Sequence, residues 1–355
     1  MKRVLAGTVV SLAIVIATLC LLEGAASALL FVRDYRNASP PSGLIRPHTT
    51  HDSLLGWVNR PGFSSPDEYG KDIGLTTTAL GFRATGTADS VSAQEGQGLV
   101  CSGDSYTLGY GVSDDHTWCA LLGIYTKRRA FNMGQADYGL DQSALWYERD
   151  ARRAPHQVQI LGVTDAQLER MASSSPGGRF KPELALDGSK VVTHGVPVPA
   201  QTATAMRDAV RARMKYDLRA VQAFVRITGV DGRATQAKRI DERWPLVEKV
   251  LDDLAAANAS NGSRLVLAYL PSKRDLRPSS PDERRKKLAA YAQRRGTTFV
   301  DLTSAMRALR PDSIDLSFIS RVPASAAPGT TNQYSDLGHA WIARTLAEKL
   351  APPAP

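Results

Sequence analysis

From Gly98 to the end of the chain, short apolar runs alternate with segments of helical spacing, and this alternation narrows the fold more than any other feature. "LVCSG", "RAFNMG", "HQVQILGV", "SRLVLAYLP" and "TTFVDLTSAM" read as strands. Between them, "HTWCALLGIYTKR", "DQSALWYERDARR", "ERWPLVEKVLDDLAAANAS" and "PDERRKKLAAYAQRRG" read as helices. The last of these opens on proline and ends at glycine, as helices do. "YSDLGHAWIARTLAEKL" closes the chain as a helix. Strands separated by helices predict a parallel sheet covered on both faces, an α/β class protein built as a three-layer α/β/α sandwich. Residues 173–200, "SSSPGGRFKPELALDGSKVVTHGVPVPA", break the rhythm with turn signals between strand-like pieces. They predict an inserted β-hairpin, in which His194 is a solvent-facing loop residue. Residues 201–260 read as mainly helical, broken near "TGVDGRA".

Upstream of the sheet pattern the chain divides differently. Lys2 and Arg3 precede "VLAGTVVSLAIVIATLCLL", an uncharged run of 19 residues from Val4 to Leu22. About 17 to 25 apolar residues span a bilayer. The cations before the run predict a cytoplasmic N-terminus with the bulk of the chain on the extracytoplasmic, periplasmic or cell-surface side. Two readings of residues 1–32 stay open: an uncleaved transmembrane helix that anchors the chain in the membrane, or a signal peptide cut near "ASA" at 26–28. Residues 33–50, including "NASPPSGLIRPHTT", read as a linker. Residues 51–97 carry short aromatic and β-branched pieces, "HDSLLGWVNRPGF" and "GLTTTALGFRATG", which predict a small extended or β prefix followed by the loop "TADSVSAQEGQG". Residues 98–352 are then one domain.

At 355 residues and 43% hydrophobic residues, the chain can fill one large core or two modest ones. The net charge of +9 is scattered over solvated helix faces such as "ERRKKLAAYAQRR", so no nucleic-acid partner is expected. The three cysteines form no zinc pattern, and no metal or other cofactor is expected. In an oxidising compartment Cys101 and Cys119 either pair or stand as two buried thiols; spacing does not distinguish these.

The chemistry concentrates at "CSGDSYTLGYG", residues 101–111. Ser105 follows an apolar strand, where an open parallel sheet binds its ligands. Its neighbouring glycines permit a tight turn, and a helix start beside it offers N–H groups to an oxyanion. "GDSYTLGYGV" after a strand resembles the first block of the SGNH (GDSL) hydrolases, esterases and acyl-handling enzymes on a flavodoxin-like sandwich. "FNMGQADYGLDQ" resembles their second block, whose glycine N–H contributes to the oxyanion hole; here that residue is Gly134. "LLGWVNRPG", "LGFRATG" and "FKPELALDGSKVVTHGVPVP" look like pieces of a membrane-anchored branch of the same group. The resemblance runs from about residue 50 onward.

Two departures from the family pattern bear on activity. The third block carries an asparagine that donates to the oxyanion. Here the stretch is "LGVTD", with Thr164 in that place and Asp165 after it. The last block is Asp-x-x-His. In one register "DLGH" supplies Asp336 and His339 with that spacing. In the other, counting back from Gly338, Gln333 takes the histidine slot and Thr330 the aspartate slot, and His339 is a structural residue in the first turn of the closing helix. A serine needs a positioned base to become a nucleophile. Imidazole serves that role and glutamine does not.

The resemblance implies two functions. The first is a membrane-anchored esterase or O-acyl hydrolase or transferase on an acylated envelope glycan or small ester. Ser105 would be its nucleophile, Asp336 and His339 its relay, and Ser105, Gly134 and Thr164 its oxyanion hole. The second is a degenerate binding module of the same fold in a polysaccharide-processing assembly. A plain nucleotide-binding protein is disfavoured because no Gly-x-Gly-x-x-Gly opens a strand–helix unit.

Overall fold

The computed structural model describes residues 2–39, 46–86, 98–173, 179–213, 240–320 and 332–351. The "TGVDGRA" break and Thr330 lie outside these residues. The N-terminal apolar run forms part of one helix, α1 (Lys2–Arg36). Within it, Gly7–Arg36 holds an 18-residue window of mean hydropathy 2.3 that is wholly exposed, which makes the helix long and apolar enough to cross a membrane. Near its end, the Arg211 guanidinium donates to the Tyr35 hydroxyl at 2.8 Å.

Four short strands follow as two antiparallel pairs: β1 (Thr49–Asp52) with β2 (Gly56–Asn59), and β3 (Ser64–Ser65) with β4 (Leu75–Thr76). The main unit then begins with β5 (Leu99–Gly103), the one-turn α2 (Ser105–Leu108), α3 (Trp118–Thr126), β6 (Ala130–Gly134), α4 (Leu140–Asp150), β7 (Val158–Val163) and α5 (Asp165–Met171). The β-hairpin β8 (Glu183–Asp187) and β9 (Lys190–His194) interrupts it. After α6 (Ala203–Arg213) come α7 (Trp244–Ser260), β10 (Arg264–Tyr269), α8 (Glu283–Arg295), β11 (Thr298–Asp301), α9 (Leu302–Arg307), α10 (Pro311–Leu316) and α11 (Asp336–Leu350).

Strands β5, β6, β7, β10 and β11 form one wholly parallel sheet in the order β11-β10-β7-β5-β6. Numbered along the chain, that order is 2-1-3-4-5, the flavodoxin-like arrangement, with its switch point between β5 and β7. Every residue of β5 and β7 is buried, which is why both read as continuous apolar runs. The period of two sorts their side chains onto two faces. Val100 and Leu161 pack with Tyr147 of α4, Leu251 and Leu254 of α7 and Tyr291 of α8. Leu99, Cys101 and Ile160 pack with Leu122 of α3, Met306 of α9 and Ile342 and Leu346 of α11. The result is the three-layer sandwich. Cys101 and Cys119 are joined as a disulfide, with Cα atoms 5.9 Å apart, tying β5 to α3.

The prefix strands lie over the carboxyl ends of the sheet. The Trp57 indole N–H donates to the Ala136 carbonyl at 3.1 Å, and the Tyr138 hydroxyl donates to the Trp57 carbonyl. Arg83, 1% exposed, reaches from the prefix into the loop after α2. Its Nε–H donates to Asp114 Oδ1 at 2.9 Å. Its Nη1 donates to the Leu108 and Gly109 carbonyls at 2.8 and 2.5 Å, and its Nη2 to those of Val112 and Gly74 at 2.6 and 3.2 Å. One guanidinium thus replaces the water that four loop carbonyls would otherwise need.

Candidate active site at the carboxyl ends of the parallel strands

β5 delivers Ser105 and β7 delivers Thr164 to the two sides of the switch point, where an open parallel sheet binds ligands. Asp104 caps α2: its Oδ1 accepts the Tyr106 N–H at 3.0 Å. The chain turns back after one helical turn at Gly109, whose φ of 84° is left-handed, the conformation glycine adopts without strain. Ser105 is half-buried at the start of this turn.

Facing Ser105 is Gln333. Its side-chain amide nitrogen donates to Ser105 Oγ at 3.2 Å. Gln333 Oε1 is buried with no partner. Turned by 180°, the amide would accept a hydrogen bond from the hydroxyl, but it would not take the proton, because an amide oxygen is no base near neutral pH. The neighbouring Asn332 carbonyl accepts from the Tyr106 hydroxyl at 2.9 Å, which joins the strand side of the cleft to the segment before α11. Burial first, and then the charge of Asp104, raise the Tyr106 hydroxyl well above its ordinary pKa, so it stays a neutral donor.

His339 and Asp336 lie elsewhere. His339 is 1% exposed in the first turn of α11, and its Nδ1 accepts the Trp118 backbone N–H at 3.1 Å. Neutral imidazole that accepts at Nδ1 carries its proton on Nε2, so neither nitrogen remains as a base. Burial, together with the charges of Arg83 and His116, pulls its pKa down to about 3. Asp336 is exposed and pairs with His116 at 3.1 Å. The Asp-x-x-His spacing of "DLGH" therefore places a helix-packing histidine and a surface ion pair; the residue brought to Ser105 is Gln333.

Two of the three expected oxyanion donors are also committed elsewhere. The Gly134 N–H donates to Asn132 Oδ1 at 2.9 Å. What requires glycine at 134 is packing: a Cβ there would lie 2.6 Å from Leu108 Cα, in the backbone of the turn that carries Ser105. The Thr164 hydroxyl donates to Asp104 Oδ2 at 2.8 Å and accepts the Gln167 N–H at 3.1 Å, capping α5. Asp104 Oδ2 is also paired with Arg170, whose Nε–H donates to the Tyr138 carbonyl at 2.8 Å.

Asp104, Asn132 and Arg170, which hold this arrangement, were not singled out from sequence. Asn132 carried a legible signal: it is the one amide side chain inside the apolar run "AFNMG". Its Nδ2 donates to the Thr107 carbonyl at 3.0 Å, which locks β6 to α2. Arg170 carried none, since it meets Asp104 only through the placement of α5. Among the described residues no group of acidic, histidine or cysteine side chains could hold a metal.

No family model and no curated protein matches the chain. Its structure is similar to a lipolytic protein of the G-D-S-L family from Desulfitobacterium hafniense at 13% identity and a TM-score of 0.39, over 72% of this chain and 99% of that one. It is also similar to a lipase/acylhydrolase from Enterococcus faecalis at 14% identity and a TM-score of 0.35, over 73% and 100%. A third is a carbohydrate esterase family 2 enzyme with a carbohydrate-binding domain from Myceliophthora fergusii, at 11% identity and a TM-score of 0.38, over 73% and 67%.

Proposed function

We propose that this chain is a membrane-anchored, extracytoplasmic module that binds an acylated envelope glycan in a hydrolase-like cleft without cleaving it. The observation that carries the proposal is the contact between the Gln333 amide and Ser105 Oγ at 3.2 Å. An ester hydrolase needs a base at that position, and glutamine offers only hydrogen bonds. The committed Gly134 N–H and Thr164 hydroxyl point the same way. Loss of one oxyanion donor alone typically costs on the order of 100- to 1000-fold in rate. Ser105 and Gln333 then serve as neutral hydrogen-bonding groups for a ligand's carbonyl and hydroxyls.

The extracytoplasmic assignment is supported by the cations before the apolar run and by the Cys101–Cys119 disulfide, a bond that persists in oxidising compartments. In this reading α1 stays as the anchor. The rival is the esterase or acyltransferase in which Ser105 is a nucleophile and His339 its base.

A serine-directed fluorophosphonate and an activated acetate ester separate the two. The full chain in detergent is expected to remain unlabelled at Ser105 and to hydrolyse the ester no faster than detergent alone. Gln333→His with Thr330→Asp supplies an imidazole and a carboxylate and is expected to produce some labelling. Stoichiometric labelling of the unmodified chain, lost in Ser105→Ala and in His339→Ala, would overturn the proposal.

A further inference from the structure

α1 is longer than the bilayer its apolar run can span. The uncharged stretch Val4 to Leu22 is 19 residues, about 28 Å of helix, close to the roughly 30 Å of a hydrocarbon core. Lys2 and Arg3 stand at one end of it and Glu23 at the other. The helix nevertheless runs on to Arg36. Along its axis Leu29 lies about 10 Å beyond Leu22 and Val32 about 15 Å, and a tilt of about 20° changes these heights by about 1 Å or less. A headgroup layer is only about 5–7 Å thick, so an upright or tilted α1 holds both residues in water.

The folded domain covers one side of this extension and leaves the other bare. Leu30 is 7% exposed, and Glu23, Ala26, Ser27 and Asp34 are half-buried on the same side of the helix. α6 packs against its end, with the Arg207 guanidinium 5.7 Å from the Tyr35 ring centroid. The helical period turns Ala25, Leu29 and Val32 the opposite way. Leu29 is 73% exposed and Val32 44%.

The bare side continues into the membrane span as a heptad stripe. Val15, Thr18, Leu22, Ala25, Leu29 and Val32 follow one another at alternating intervals of three and four residues, and all six are exposed. That spacing keeps one seam turned toward a parallel helix. Inside a bilayer no hydrophobic force draws helices together, and small residues such as Thr18 and Ala25 let two backbones approach closely instead. The Thr18 hydroxyl donates to the Ile14 carbonyl of its own helix at 2.8 Å, so the seam leaves it satisfied. Arg36, the next position of the repeat, is charged and ends it.

We propose that a second copy of this chain covers the stripe, two α1 helices pairing in parallel from within the bilayer up to Val32. The inference rests on reading α1 as an uncleaved anchor. The membrane selects this partner. Every copy enters it in the same direction and to the same depth, so like residues stand at like heights, as a two-fold seam requires. Confinement to one bilayer also raises the effective concentration of copies. At roughly 60–120 Å² for a large apolar side chain, the six residues bury on the order of 500 Å² per copy. The total of about 1,000 Å² is the size at which an interface becomes specific. The domain lies on the far side of α1 and leaves the seam open.

The test is disulfide crosslinking of the purified full chain in phosphatidylcholine liposomes, read on non-reducing gels. Cys20, exposed on the side of α1 away from the stripe, should give no crosslinked dimer in the parent. In a Cys20→Ser background, Leu29→Cys and Val32→Cys should each crosslink at least about tenfold more than Ala28→Cys, because a disulfide needs Cα atoms within about 7 Å. A second measurement counts photobleaching steps of singly labelled chains in the same liposomes. Leu29→Glu with Val32→Glu alters exposed residues only, so it should keep the parent's Tm and lower the two-chain fraction about tenfold by placing like charges in the seam. Equal crosslinking at positions 28, 29 and 32, or an unchanged two-chain fraction in the double variant, would overturn the dimer. N-terminal sequencing of the membrane-extracted chain separates this from failure of the anchor reading: a chain that begins after residue 28 overturns both, and an intact chain with equal crosslinking overturns the dimer alone.

Discussion

Replacing Arg83 by methionine should cost this protein about 4 kcal/mol. The side chain is fully buried, and methionine fills most of its volume, so the loss is polar rather than a cavity. Five hydrogen bonds disappear, one to Asp114 and four to loop carbonyls. Removing one partner of a buried ion pair costs about 3–5 kcal/mol, because the other charge is left behind. Asp114 escapes part of that cost: its carboxylate is 19% exposed and also accepts the Thr76 N–H at 3.1 Å. The carbonyls add about 1 kcal/mol or more for each that water cannot reach. For a domain of this size, about 4 kcal/mol corresponds to a fall of roughly 8–16 °C in Tm. The assay is thermal melting of the full chain in detergent, followed by far-ultraviolet circular dichroism. Arg83→Lys keeps the charge but has three donors in no fixed fork, so it should fall between the two. A double-mutant cycle with Asp114→Asn isolates the ion-pair share from the carbonyl share. The reasoning fails if Arg83→Met shifts the Tm by less than about 2 °C, or if Arg83→Lys melts with the parent.

His339 predicts an acid limb in stability. Its folded pKa, about 3, lies below the unfolded value, so the unfolded chain binds the proton first; stability is full above about pH 6.5 and falls as pH drops toward 3, by at most about 1.4 kcal/mol per pH unit. His48 and His156, also lowered by burial, add to the same limb, and His339→Gln should remove about one proton from the slope of stability against pH between 6 and 4. An unchanged slope refutes the buried neutral imidazole. The disulfide closes a loop of 18 residues, for which chain entropy gives about 3 kcal/mol. Cys101→Ala with Cys119→Ala should therefore melt below the oxidised parent, in a scan where reductant lowers the parent's Tm but not the variant's.

Read as a string, the chain already carried the layered architecture, because burial on both faces makes β5 and β7 continuous apolar runs and one-sided burial gives the helices their period. The same local logic exposed the N-terminal helix and marked the turn at Ser105. Where the string left a choice, the deciding interactions join residues far apart in sequence. Gln333 lies 228 positions from Ser105, and Trp118 lies 221 from His339; spacing within "DLGH" therefore could not say which side chain faces the cleft. Whether Cys101 meets Cys119 depended on α3 packing across β5. The Gly134 N–H was expected in an oxyanion hole from the family block that "FNMGQADYGLDQ" resembles, yet a side chain two residues away on the same strand takes it, and the backbone pressed against Gly134 is what requires glycine there. Local pattern reports where a residue is buried, and that follows from its immediate neighbours. Which donors remain for chemistry depends on partners that only chain folding brings within hydrogen-bond distance, and so it belongs to the tertiary structure.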